Sequence, residues 1–480
     1  MFTLTDVFFS FICMAMLVLA GRFIKQKVSW IQRLYLPESI VAGALALLLG
    51  PQVLGAIATA VGGDGVALSG GIFSAPIRTV WSQSPGVFIN IVFAALFLGE
   101  RIPSPGAIWR KAAPQVVFGQ SLAWGQYVIG ILVTLLVLMP VFDANPIAAS
   151  LIEIGFEGGH GTAGGMADTM VELGYPEGAD LALGLATVGI VSGIVAGTML
   201  ANWGRRKGHT HFMVQAVDDV EEIPELTHTE TPEFQAKRAR LMRGLLIDPL
   251  SLNFGIVGIS IAVGWVILQG LVWLESVTWG LTGFEVMSFV PLFPMALVGG
   301  IVVQLVLVRL QLDPLVIQPL MKNIAGLALD VVVIAALASI SLQVIGSNLG
   351  IFLILSTVGI TWNVLFFLYY APRLFPDSWF EKGLGDVGQS MGVTATGILL
   401  LRMVDPYNDT GAFESFAYKQ LFFEPIVGGG LFTAAAPALI VKFGLLGTLL
   451  ITGGLLIAWL LVGAVLIRQH RSSAAVVTQP

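Results

Sequence analysis

The sequence predicts an all-α polytopic membrane protein. Its plan is two inverted-topology repeats of five transmembrane helices, each with a re-entrant hairpin, plus an additional C-terminal transmembrane helix. Three observations predict this. Of 480 residues, 56% are hydrophobic and only 11% charged, where a soluble domain carries roughly 25% charged residues. Two glycine-crowded polar interruptions, GFEGGHGTAGGM over 155–166 and GLGDVGQSMGVTATG over 383–397, stand in matching places in the two halves. The Lys and Arg residues also sort to one face of a membrane under one orientation, the pattern that the insertion machinery reads.

Candidate spans in the first half run over 4–21, 38–60, 85–99, 112–139 and 180–203. The opening stretch MFTLTDVFFSFICMAMLVLAGRF lacks a basic n-region and a small-residue cleavage site, so it reads as a retained helix and not a signal peptide. The hairpin is expected at about 146–170, inside a first repeat of 1–203. The segment 204–248, with DDVEE and EIPELTHTETPEF, reads as a solvated cytoplasmic connector. The second repeat, 249–443, holds spans over 249–274, 285–308, 324–345, 349–371 and 420–441, with its hairpin at about 383–403. The remainder, 444–480, holds one more span over 444–467 and a cytoplasmic tail. The runs 249–274, 286–308 and 443–467 carry no charge, and each exceeds the ~20 residues that cross the hydrocarbon layer.

With both hairpins returning to their own side, every Lys and Arg except Arg78 and Lys442 falls on the cytoplasmic face, Arg402 and Lys419 among them. The N-terminus is then outside and the C-terminus inside. The first repeat starts outside and the second inside, which makes them inverted; direct residue identity between them is faint. Cys13 is the single cysteine, so an intrachain disulfide and CxxC-type sites are excluded. No lysine follows a glycine and no HExxH occurs, which removes a P-loop and a zincin site. No cofactor is expected, nothing points to nucleic acid, and energy must come from an ion gradient; the chain is not expected to be an enzyme.

Broken backbone inside hydrocarbon survives only where it is buried in protein or lines a wet cavity. A pair of such breaks, one per half, points to the binding site of a secondary transporter. Gly158, Gly159 and Gly161 let the first hairpin break and a ligand approach its backbone closely. Glu157 and His160 flank that break: the carboxylate can offset a substrate ammonium or a sodium ion, and the imidazole can orient the loop or titrate. Glu153 is either a partner of these groups or a solvated group at the outer mouth. Thr162, Ser390, Thr394 and Thr396 are hydroxyl candidates for ion or substrate, with interhelical packing as the alternative. Sodium candidates are Thr162, Gln389, Ser390, Asp330 and Glu424. Arg402 either presents a bidentate fork to a carboxylate or snorkels to the interface.

The segment LIEIGFEGGHGTAGGM over 151–166 resembles the GGHGT re-entrant loop of the bacterial glutamate:sodium symporter family. YLPESIVAGAL over 35–45, MGVTATG over 391–397 and EPIVGG over 424–429 are similar to its second helix, second loop and following helix. The resemblance covers roughly residues 1–443. It implies a homodimer of ten-helix protomers in the bacterial plasma membrane, with sodium-coupled uptake of glutamate at the meeting point of the two loops and an elevator-type movement. The chain departs from the pattern in carrying Ala395 where proline is common, Glu157 where a small polar residue is usual, and a helix after Gly444. Symport of another dicarboxylate and an ion channel are the alternatives. A membrane enzyme with a metal on Glu153, Glu157 and His160 is more remote, because glycine-interrupted spacing is a poor metal signature.

Overall fold

A computed structural model describes residues 2–33, 36–63, 65–100, 102–211, 232–245 and 247–477. Much of the connector expected over 204–248 therefore lies outside the described residues. Those residues contain helices and no strand. Ten helical stretches are long and apolar enough to cross a membrane.

Four long helices precede the first break: α1 (Leu4–Lys27), α2 (Glu38–Leu48, prolonged to Gly62), α3 (Ala75–Ala95) and α4 (Pro105–Phe142). Thr3 and Asp6 form a capping box at the start of α1. α3 begins ten residues before the span expected at 85–99, because Pro85 sits inside the helix and does not end it. α4 bends at Ala112, two residues before Pro114, whose ring displaces the preceding turn. The first interruption then folds as a turn over Pro146–Ser150 followed by α5 (Leu151–Phe156), α6 (Gly159–Gly165) and α7 (Ala167–Glu172). Asn145 Nδ2 donates to Gly174 O at 3.3 Å, so this segment starts and ends at the same place and is a hairpin. α8 (Glu177–Lys207) completes the first half.

α9 (Pro232–Leu245) lies in the connector; the second half holds α10 (Pro249–Val277), α11 (Leu292–Arg309), α12 (Gln318–Ser339) and α13 (Leu349–Leu374). α14 (Trp379–Val404) is long enough to span but doubles back at Gly392 and Val393. A side chain at Gly388 would start 2.8 Å from Gly397 Cα, and one at Gly385 2.7 Å from Leu401 Cγ. A straight helix would hold residues 385 and 401 about 24 Å apart. The arms of this second hairpin close on each other because glycine lines both.

α15 (Ala412–Phe423) and α16 (Leu431–Val477) follow. The span expected at 420–441 is instead divided by the stretch from Glu424 to Gly430. α16 turns sharply at Gly444, whose φ of 69° suits only glycine. Ile440 and Leu445 pack with Ile131, Leu455 and Leu456 with Trp124 and Phe432, and Trp459 with Trp109, so the helix beyond Gly444 runs back along α4.

The helices divide into two packed groups. α1, α2, α3, α10, α11 and α12 form one; α4, both hairpins, α8, α13, α15 and α16 form the other. α8 carries Gly189, Gly193 and Gly197 at four-residue spacing against Met391, Gly392 and Leu400 of the second hairpin, a small-residue stripe that lets helices approach closely.

Candidate functional site

The tips of the two hairpins touch. Gly159 has φ +67°, and the Val393 side chain occupies the space where a Gly159 side chain would lie. Val393 itself has φ 61°, a costly conformation for a β-branched residue, of the kind that collects at functional sites. Around this contact the chain buries polar groups from α4, α13, α15 and α16 as well as from the hairpins.

Glu153 is 1% exposed. It is not a solvated group at a mouth: its carboxylate accepts from Tyr127 Oη at 2.5 Å, Gly428 N at 2.8 Å and Thr433 Oγ1 at 2.7 Å. These bonds tie the first hairpin to α4 and to the break between α15 and α16. Glu157, at the tip, is less well satisfied. Gln126 Nε2 lies 3.4 Å from its Oε1 and the Ser390 side chain stands beside the carboxylate, but its Oε2 makes no well-formed hydrogen bond. Gln126 Nε2 chiefly donates to Ser390 O, at 2.7 Å, and reaches Asn363 Oδ1 at 3.3 Å, so one amide on α4 joins both hairpins and α13. Thr162 Oγ1 and Gln126 Oε1 are buried without partners. The Thr162 oxygen faces Gly429, whose φ is +98°.

His160 bonds Thr187 Oγ1 at 3.0 Å, and that hydroxyl donates to Leu183 O at 3.1 Å. The hydroxyl proton is thereby spent, so His160 Nε2 carries hydrogen and donates. The imidazole fixes the hairpin to α8. Gly158 packs on Thr162, and Gly161 packs so closely on Ile89 of α3 that a Cβ there would stand 2.6 Å from Ile89 Cδ1.

On the second hairpin, Thr394 Oγ1 donates to Glu424 Oε1 at 2.8 Å and accepts from Gln420 Nε2 at 2.7 Å. Thr396 Oγ1 returns to Gly392 O at 2.5 Å and closes the first turn after the tip. Gln389 accepts from Lys419, whose Nζ also lies 3.0 Å from Asp386. Ser390 lies within GQSMG, which spells G-x-S-x-G; it sits on a helical arm with no strand beside it among the described residues, so the strand-to-helix elbow of a hydrolase is not formed.

The structure thus gathers Glu157, Gly158, Gly159, His160, Gly161, Thr162, Gln389, Ser390, Thr394, Thr396 and Glu424 around the two tips. Two candidates lie elsewhere. Arg402 is exposed near the end of α14, in keeping with the snorkelling alternative. Asp330 is half-buried on α12 beside Ser39. Lys419, assigned by position to the cytoplasmic face, is instead 1% exposed and inside the cluster. Sequence reasoning also passed over Gln115, Gln126, Asn363, Tyr127 and Thr433. Amides inside apolar helices were the available signal, since each must find a partner when buried. No group of three or more His, Cys, Asp and Glu residues among those described is arranged to hold a metal ion. The unpaired atoms are oxygens, suited to a hard monovalent cation.

The family model described as sodium/glutamate symporter matches residues 114–404. The match begins within α4 and ends with the second arm of α14, so it takes in both hairpins and their contact; the partners from α15 and α16 lie beyond it. Comparison with curated proteins finds no match. With more than half of its length matched, and with both glycine-broken hairpins inside that match, the chain belongs to the sodium/glutamate symporter family.

Proposed function

We propose that this protein is a sodium-coupled importer of L-glutamate or a closely similar acidic amino acid. The observation that carries the proposal is the meeting of two broken hairpins over buried oxygens that make no well-formed hydrogen bond: Glu157 Oε2, Thr162 Oγ1 and Gln126 Oε1. Buried polar atoms without partners are expensive, and a sodium ion would satisfy several at once. Glu157 and Glu424 suit a substrate ammonium group, which favours an amino acid over a plain dicarboxylate. Backbone N–H groups at the start of a half-helix suit its carboxylates. Sodium bound first would order the tips and raise affinity for the anion, and by linkage the anion would raise affinity for sodium.

An elevator-type movement fits the division of the helices. α6 meets the other group through Gly161 on Ile89, Gly164 on Pro85 and Ala336, and Gly165 on Ile89 and Phe293. The α6 contact, made of glycine, proline, alanine, isoleucine and phenylalanine, holds no hydrogen bond of its own; the bonds from Thr169 Oγ1 to Phe289 O and from Ser341 N to Asp180 Oδ1 would open as the groups slide. The two halves then act as inverted repeats, with the hairpins re-entering from opposite faces. The N-terminus would be outside, the C-terminus inside, and two protomers would pair in a bacterial plasma membrane.

The test is uptake of radiolabelled L-glutamate into proteoliposomes under an inward sodium gradient, with potassium in its place as control. Saturable accumulation only with sodium is expected. Uptake that persists unchanged in potassium would remove sodium coupling, competition by succinate but not by glutamate would select the dicarboxylate, and ohmic current without substrate would indicate a channel.

A further inference from the structure

Lys419 is the one cation in the buried cluster, and its setting is unusual. Its side chain is 1% exposed and that of Asp386 0%. Nζ lies 3.0 Å from Asp386 Oδ1 and donates to Gln389 Oε1. The ring centroids of Phe416 and Phe423 stand 4.9 and 4.1 Å away. Each of these neighbours presents negative charge or a π face to Nζ, as the walls of a cation site do. Asp386 and Gln389 are three residues apart on one face of the first arm of α14, close to the tip. The second Asp386 oxygen takes Gln115 Nε2 at 2.8 Å, and Gln115 Nε2 also holds Lys382 O at 3.0 Å, so the carboxylate is fixed from behind. The lysine reaches this cage by passing Gly119 of α4, where a Cβ would come within 2.8 Å of Lys419 Cδ. α4 has given up a side chain at the place where the lysine must pass.

We infer that the Asp386–Gln389 cage in the second hairpin is a monovalent-cation site held permanently by Lys419, so that the chain supplies one cation of the set that closes the hairpins and leaves one fewer for sodium to supply. A tethered ammonium pays no binding entropy at each cycle and cannot leave, which keeps the second hairpin joined to α15 in every state. The meaning of the inference rests on the sodium-coupled reading above; its test does not, because it reads stability and not transport.

The experiment compares thermal unfolding of the purified full chain and of Lys419→Met, which keeps length and removes charge. Both are titrated with sodium chloride against choline chloride at constant ionic strength, without glutamate. Lys419→Met is expected to melt lower in choline and to recover saturably with sodium. Lys419→Met/Asp386→Asn is expected to lose that added sodium response, because the cage no longer carries charge. Sodium curves of Lys419→Met parallel to the parent's would overturn the inference, as would rescue that survives in the double variant. If Lys419→Met does not fold, Gly119→Ala, which displaces the lysine, is expected to acquire the same sodium dependence, and its absence there would equally overturn the inference. Failure of the proteoliposome uptake assay would leave these curves standing, so the two readings fail separately.

Discussion

Replacing Tyr127 by Phe tests the join between the first hairpin and the break after α15. The ring is buried against Trp124 and Phe432, with centroids 6.0 and 5.1 Å away, and Phe fills the same space. Only the hydroxyl is lost. Its loss leaves Glu153 Oε2 buried with no donor, because Gly428 N and Thr433 Oγ1 both address Oε1. An orphaned buried acceptor costs about 1–3 kcal/mol, and a carboxylate acceptor puts the value near the top of that range. Thermal unfolding in detergent without sodium or glutamate is expected to fall by roughly 3–6 °C, since the shift per kcal/mol shrinks as chains lengthen. The cycle with Glu153→Leu isolates the pair: removing both partners should cost less than the sum of the single changes by about 2 kcal/mol. An unchanged melting temperature in Tyr127→Phe, together with an additive cycle, would refute the claim that this bond anchors the hairpin.

Gly159→Ala places a Cβ at φ +67°, where it meets Val393; strain of about 1–2 kcal/mol should lower both melting temperature and maximal uptake, and parent-like values would contradict contact between the tips. Thr394→Val removes a hydroxyl bonded to Glu424 and Gln420, and is expected to raise the glutamate concentration for half-maximal uptake about tenfold, or ~1.4 kcal/mol, with little change in stability. Arg402→Ala removes an exposed side chain and should leave that concentration unchanged; a large rise would place Arg402 at the substrate after all.

The hairpins were legible because their signal is local. Glycine clusters mark backbone that bends or packs closely: Gly159 takes positive φ in the first hairpin, while in the second the glycines let the arms close and the positive φ falls on Val393. The hydroxyl and carboxylate candidates beside them lie near the tips because they are neighbours of those glycines in the chain. Lys419 was misread because its meaning is tertiary. A lysine near the start of an apolar run looks like a membrane-flanking charge, and nothing in its neighbourhood names Asp386, which precedes it by a whole hairpin arm. The division of the expected 420–441 span into α15 and α16 has a local trace in the three glycines after Pro425, but whether such a trace bends, breaks or merely thins a helix depends on Glu153 arriving from the first hairpin to bond Gly428 N and Thr433 Oγ1. Gln115 and Gln126 were hidden by their helix. The pattern of α4 says only that it is buried, whereas the amides decide which hairpin each face receives.

On the reading proposed above, the under-bonded oxygens near the tips hold the coupling ion. Binding of radiolabelled L-glutamate to purified protein, measured across a sodium titration for the parent and for Thr162→Val, tests it most directly. Thr162 Oγ1 is buried and unpartnered, and valine keeps its shape. The account predicts that sodium raises glutamate affinity in the parent, and that the variant needs about tenfold more sodium for the same effect, or ~1.4 kcal/mol, while reaching the same glutamate affinity when sodium saturates. A variant whose sodium dependence matches the parent's would contradict it.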